Sequence, residues 1–446
     1  MKNIVLSFFS CLLSFYFISP SFAQADLLRS GPMVGYSEMR EVMLWVQTKT
    51  SARVKIAYFD QAIPSAKLYT KEILTDADKA FATHLVATVE PGIRYQYELY
   101  INDQLVNFNY PLTFQSQALW HWRTDPPNFK FAFGSCAYTN EDPYDRPGKP
   151  YGGEYVIYQS IFDKHPDFMI WGGDNVYLRE PDWNTKTGIL HRYTHFRSLP
   201  EVQPLWASVH HYAVWDDHDF GPNDSDRGFW MKEQTFEAFK LFWANPNYNL
   251  TGQGGITGTF FWNDVQFFVL DNRYFRSPNN LKEGDKEMFG KAQLQWLIDA
   301  LTYSQASFKV IVTGGQLFND ALVYENYINH HAEEREIFLN ALRKANIQGV
   351  VVLSGDRHHT EMTKFTDNMP YPFYEITISP LTSGSAGDRA ASEPNNYRIP
   401  GTYFGERNFS IIEVTGELKN RKMTITVFDN KGVEVWKQEI LAQELK

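Results

Sequence analysis

The sequence predicts an α/β fold preceded by a β-sandwich. Three observations carry that prediction. Residues 27–125 alternate apolar and polar side chains in short runs, and the apolar runs after Phe129 are each followed by a helical period or a long polar loop. Polar clusters also stand directly after those later runs. The early strands are read at 42–46, 52–57, 84–89 and 94–100, with turn signals at Pro91-Gly92 and Asn102-Asp103 between them. Pro126 and Pro127 mark 122–128 as a linker. The α/β strands follow at 129–133, 168–171, 211–215, 265–270, 308–313 and 350–353, and helices are predicted at 153–164, 231–244, 291–304 and 332–344. The chain returns to strands at 409–413 and 422–428.

At 446 residues the chain is longer than one ordinary domain, and 43% hydrophobic with 21% charged residues is a globular composition. A formal net charge of −10 argues against a nucleic-acid scaffold, whose phosphates would be repelled. Lys2, the apolar run 4–18, Pro20 and the pattern Ser21, Phe22, Ala23 have the layout of a cleaved secretory signal. The run is too short for a membrane anchor. We therefore expect a leader at 1–23, an immunoglobulin- or fibronectin-like β-sandwich at 24–126 and the α/β domain at 127–446. The mature protein is expected to be exported, periplasmic or extracellular, with no transmembrane anchor. Cys11 departs with the leader and Cys136 remains a lone thiol, either buried or ligated.

Chemistry collects after the strands. The first runs into Gly134, Ser135, Cys136; the second into Gly172, Gly173, Asp174, Asn175, Val176, Tyr177; the third into Asp216, Asp217, His218, Asp219. The fifth reaches Gly314, Gly315, Gln316 and the sixth Ser354, Gly355, Asp356, Arg357, His358, His359. Taken singly, each cluster reads as a turn, a helix cap or a solvated loop. Ligands of an α/β sheet bind at the carboxyl ends of its strands, so five such clusters at one edge converge on a site. Five aspartates and a histidine in WDDHDFGPNDSD would repel one another without a counter-charge. The stretches 139–151, 182–194 and 383–403 are candidates for a cover over the pocket.

The series GSC, GGDNVY, WDDHD, LDNR and LSGDRHH, in that order after a β-sandwich, resembles the PhoD-like alkaline phosphatase D family of calcineurin-like metallophosphoesterases. The resemblance begins at GPMVGY and covers nearly all of the mature chain. It implies a four-layer sandwich of two mixed sheets flanked by helices. It also implies a metal pair bridged by Asp174, with Cys136, Tyr177 and His358 on one ion and Asp217 and Asp356 on the other. Thiolate and phenolate suit a strongly Lewis-acidic transition metal, so the first ion is expected to be Fe(III). Oxygen ligands suit Ca2+ at the second, with Asp219, Asp224 and Asp226 as supporting groups, helix caps or ligands of a further calcium.

Such a pair lowers the pKa of a bound water from ~15.7 toward ~7. The resulting hydroxide would attack a phosphate ester in line, with His218 contacting phosphate or protonating the leaving alkoxide. Arg273, Arg357 and Gln316 are further candidates for phosphate or ligand contact, and ion pairing accounts equally well for both arginines. The expected activity is hydrolysis of phosphomonoesters, phosphodiesters or both. Two alternatives are a related hydrolase preferring a phospholipid, a nucleotide or a cell-wall polymer and a calcium-stabilised extracellular binding module without catalysis.

Overall fold

The computed structural model describes residues 27–446. The expected leader at 1–23 lies outside the described residues. The six strands expected after Phe129 are present to within one residue at each end. Phe129–Gly134, Phe168–Gly172 and His210–Val214 run parallel and adjacent in a nine-stranded mixed sheet. Val265–Val269, Phe308–Val312 and Val350–Ser354 do the same in a six-stranded mixed sheet. Nearly all of these residues are buried, which is why the runs are continuously apolar and do not alternate.

Strand periodicity sorts the side chains into layers. Phe131, Phe168 and Tyr212 face inward and meet Phe260, Trp262 and Phe267 of the second sheet; Tyr212 stacks on Phe260 at 3.8 Å between centroids. On the opposite face of the first sheet, Trp171 packs against Tyr158, Phe196 and Trp206 of the covering helices. Phe268 of the second sheet likewise meets Trp296 of the helix Lys291–Tyr303. The result is helices, sheet, sheet, helices: two mixed sheets flanked by helical layers, as expected.

Several elements have no clear sequence signal. The strands Glu361–Phe365 and Phe373–Thr377 carry Glu361 and Glu375, both fully buried, the latter accepting the Leu317 and Phe318 N–H groups at 2.8 Å. The helix Lys186–Arg197 occupies a stretch that reads as loop because Arg192 and Arg197 share its buried face with Ile189, Leu190, Tyr193 and Phe196. Arg192 pairs with Asp182 and Glu141 at 2.8 Å each, and Arg197 lies over Trp243 and Trp206 at 3.9 and 4.5 Å. The two arginines dilute the hydrophobic stripe, so the amphipathic pattern is weak while the buried face is real.

The amino-terminal strands form two layers around a separate core of Leu44, Val46, Ile56, Tyr58, Leu99 and Phe114. One layer is an antiparallel sheet built on Arg53–Asp60 and Arg94–Ile101. The other, Leu28–Ser37, Glu41–Thr48 and Ala82–Thr88, is the edge of the nine-stranded sheet, because Leu28–Ser37 pairs in parallel with His210–Val214. The sandwich thus shares a sheet with the α/β unit.

His210 fastens that seam. Its Nδ1–H donates to the Gly35 carbonyl at 2.7 Å and its Nε2 accepts the Gln115 N–H at 3.1 Å, so only the neutral ring satisfies both bonds. Burial lowers its pKa from 6.5 to about 4. The unfolded chain then binds this proton first, and the associated stability is lost as pH falls from 6.5 toward 4, by about 3 kcal/mol at most. In urea unfolding, the stability gap between wild type and His210→Gln is expected to narrow across that window; a gap independent of pH would contradict the assignment.

Candidate metal centre

The clusters after the strands of both sheets meet at one end of the sandwich. Close approach is possible because the sheets present glycines to each other there. A Cβ on Gly314 would lie 2.5 Å from Asp216 Oδ2, and one on Gly355 would lie 2.6 Å from Ser135 Cβ and 2.7 Å from the Gly172 carbonyl oxygen. The loops are cross-tied by backbone bonds from Cys136 N–H to Gly173 O at 3.1 Å and from Gly355 N–H to Gly314 O at 2.7 Å.

Six predicted ligands gather in this space. The Cys136 thiol donates to Asp174 Oδ2 at 3.5 Å and the Tyr177 hydroxyl donates to the same oxygen at 3.2 Å. Ligand atoms of Cys136, Asp174 and His358 lie within 4.8 Å of one another, as do those of Asp174, Asp217 and His218, and those of Asp216, Asp217 and Asp356. Cys136, Asp174, Asp356 and His358 all have positive φ, between 51° and 69°. That region is sparsely used by non-glycine residues and costs on the order of 1–3 kcal/mol each. Four strained residues among six donors mark backbone held for a purpose other than packing.

The surroundings aim these donors. His358 gives its Nδ1–H to the Gly384 carbonyl, which leaves Nε2 as the free lone pair. Ser379 Oγ accepts from His358 N–H at 3.0 Å and donates to Cys136 Sγ at 3.1 Å. Asp219 accepts the Asn175 N–H at 3.0 Å and the Asp216 N–H at 3.1 Å, tying the GGDN and DDHD loops together.

The LDNR motif works one layer out. Asp271 accepts three backbone N–H groups and the Trp215 indole, while Asn272 and Arg273 both bond Asp216. Arg273 is 1% exposed and also pairs with Glu325 at 2.6 Å. Gln316 is saturated by protein, donating to Glu361 and Thr377 and accepting from Arg357 and Asn319. Arg357 borders the cavity but spends its guanidinium on Gln316, Asn326 and Glu393. Glu325 and Asp224 join Asp217 in a further group of oxygen donors. Glu325 lies in a loop without a motif, so nothing local announces it.

Electrostatics tests whether cations fit. Burial pushes Asp174 well above the carboxylate range, and the charges of Asp217 and Cys136 push it further. Asp356 opens onto the cavity yet is surrounded by protein and lifted to about 8 by burial and by Asp216 and Asp217. Burial takes the Cys136 thiol to about 12 and raises Tyr177 as well. Among the described residues, Asp217 Oδ1 and Asp216 Oδ2 are buried without a hydrogen-bond partner. Crowded carboxylates, orphaned oxygens, a thiol and a phenol together form a donor set that bound cations satisfy.

A cavity of about 450 Å³ leads to the cluster, bordered by Asp174, Asp217, His218, Asp356, His358 and Tyr151. The 383–403 stretch adds Gly384, Arg389 and Glu393, and Asn223, Asp224, Tyr324 and Glu325 complete the wall from other loops. The other two stretches long enough to cover the site behave differently: 139–151 contributes Tyr151, and 182–194 is largely the packed helix described above. A larger cleft of about 620 Å³ opens at the opposite ends of the strands, beside Arg94, Lys130 and Asp167. None of the described residue groups able to hold a metal lies there.

Comparison with known proteins agrees with this geometry. The sequence model of PhoD-like phosphatases matches residues 131–405, and that of a domain of unknown function, DUF7800, matches 25–118. Alkaline phosphatase D of Bacillus subtilis (strain 168) is 23% identical over 322 residues, 59% of this chain and 53% of that protein. The match thus spans about half the length of this curated relative. A solved structure of PhoD superposes with a TM-score of 0.74 at 17% identity, covering 94% of this chain and 93% of that one. Purple acid phosphatase PPD1 from yellow lupin (Lupinus luteus) seeds gives 0.66 at 9% identity, covering 92% and 74%. Both structures share the fold, and since the family match takes in more than half of the sequence, this chain belongs to the PhoD-like phosphatase family.

Proposed function

We propose that this chain is an exported metal-dependent phosphoesterase acting on phosphomonoesters, phosphodiesters or both. The observation that carries the reading is the convergence of a thiol and a phenol on one oxygen of Asp174, with Asp217, Asp356 and His358 adjacent. Cys136, Asp174, Tyr177 and His358 would hold iron, because thiolate and phenolate stabilise a strongly Lewis-acidic ion. Asp174, Asp217 and Asp356 would hold calcium. When bound, the cations supply Lewis acidity toward phosphate and a nucleophile from water at neutral pH. The chain's own residues set the geometry. The His218 ring packs at a tilt against Tyr177, 4.2 Å between centroids, and its backbone N–H bonds Asp174 Oδ1 at 3.3 Å, which fixes the ring at the cavity wall. From there it hydrogen-bonds a phosphate oxygen or passes a proton to the leaving oxygen. Arg273 holds Asp216 and Glu325 in place and is a positioning residue.

Metal analysis of purified protein together with phosphate release from simple esters tests the reading. Iron with calcium and turnover are the expected results. Tyr177→Phe is expected to lose the visible phenolate-to-iron charge-transfer band, and an unchanged spectrum would remove Tyr177 from the ligand set. Calcium without iron and no phosphate release would favour a calcium-stabilised binding module.

A further inference from the structure

A second cavity of about 430 Å³ adjoins the first and shares Tyr151, His218 and Asn223 with it. Its chemistry is different. Where the first is lined by carboxylates, this one is walled by Tyr138, Tyr144, Tyr151, Tyr177 and Trp183. Tyr138, Tyr151 and Tyr177 pack edge to face or tilted at 4.9–6.3 Å between centroids, forming one side as a rigid aromatic surface. Tyr144 and Tyr151 remain 43% and 45% exposed at the mouth, which leaves large ring faces in water. Exposed Glu180 also lines the cavity, whose arginines and lysine divide in two. Arg179 is neutralised by Asp145 at 2.7 Å, whereas Arg146 and Lys149 make no hydrogen bond or ion pair among the described residues.

We propose, resting on the phosphoesterase reading above, that this cavity is the leaving-group subsite and takes a planar ring, as a nucleoside or an aryl group. Hydrolysis forms a bond from water oxygen to phosphorus, breaks the bond to the leaving oxygen and delivers a proton to that oxygen. His218 borders both cavities, so an ester whose phosphate lies by the carboxylates directs its leaving group past His218 into the aromatic space. Every nucleobase and aryl ring has a π face to stack on such walls, while a polyol leaves them unpartnered. Arg146 and Lys149 at the rim favour a leaving group that carries further negative charge.

The test compares p-nitrophenyl phosphate, adenosine 5′-monophosphate and glycerol 2-phosphate on the metal-loaded enzyme, in wild type, Trp183→Leu and Tyr144→Ala. The variants are expected to raise KM about tenfold, equivalent to about 1.4 kcal/mol, for one or both ring esters, with glycerol 2-phosphate changed less than about twofold. Which ring ester responds identifies the source of the ring. Trp183 also donates to the Leu178 carbonyl at 3.1 Å, so the exposed Tyr144 variant keeps the test valid if Trp183→Leu fails to fold. Equal changes for all three esters, or none, would overturn the subsite while leaving the phosphoesterase reading intact. If no ester is hydrolysed, that reading fails by itself. Calorimetric titration with adenosine and with phenol then judges the cavity: binding weakened in Tyr144→Ala supports it, and no binding refutes it.

Discussion

Asp174→Ala is expected to lower turnover of p-nitrophenyl phosphate by more than about 10³-fold and to strip iron and calcium from the protein together. The side chain belongs to two of the donor groups and receives both the Cys136 thiol and the Tyr177 hydroxyl on one oxygen. Under the proposed ligand assignment, its removal would leave neither ion with a complete set of ligands. Folding should survive, because burying this carboxylate among Asp217, Asp216 and Asp219 is unfavourable in the unloaded protein. Turnover, metal content and urea stability of the variant provide the check. Near-normal turnover, or loss of one metal alone, would show that Asp174 does not bridge the pair.

Gly355→Ala is expected to damage both stability and activity through one methyl group. The new Cβ would stand 2.6 Å from Ser135 Cβ and 2.7 Å from Gly172 O, contacts that force the two sheets apart where the ligands meet. Overpacking of this kind costs about 1–3 kcal/mol or more, and here the obstacle includes backbone that cannot rotate away. A displacement of even ~1 Å at a catalytic centre reduces rate about 10²-fold. Thermal unfolding and metal titration of the variant test this, and wild-type metal affinity would show that the inter-sheet approach has slack.

Both expectations depend on distances that the sequence does not state. WDDHD announces its chemistry by composition, because aspartates so dense need a counter-charge. GSC and Tyr177 do not, since a lone thiol and a tyrosine are ordinary core residues until a common carboxylate is found beside them. Arg273 is open to two readings. A basic residue near an acidic site reads equally as a phosphate contact or an ion-pair partner, and the guanidinium lies 1% exposed between Asp216 and Glu325. Glu325 itself was illegible because it approaches Asp217 from a loop distant in the chain.

The sequence by itself determined the order of strands and helices in the α/β unit, the end of the sheet where ligands collect and the donor types available there. These are local properties: side-chain periodicity, glycines at turns and the affinities of particular atoms for particular ions. Only the tertiary structure decided that the first strands extend the nine-stranded sheet, that a segment with two buried arginines is helix, and which polar groups gather at the cavity and which are held by protein partners. Each of these depends on partners distant in the chain, and a buried charge or an open strand edge has no defined role until its partner is in place.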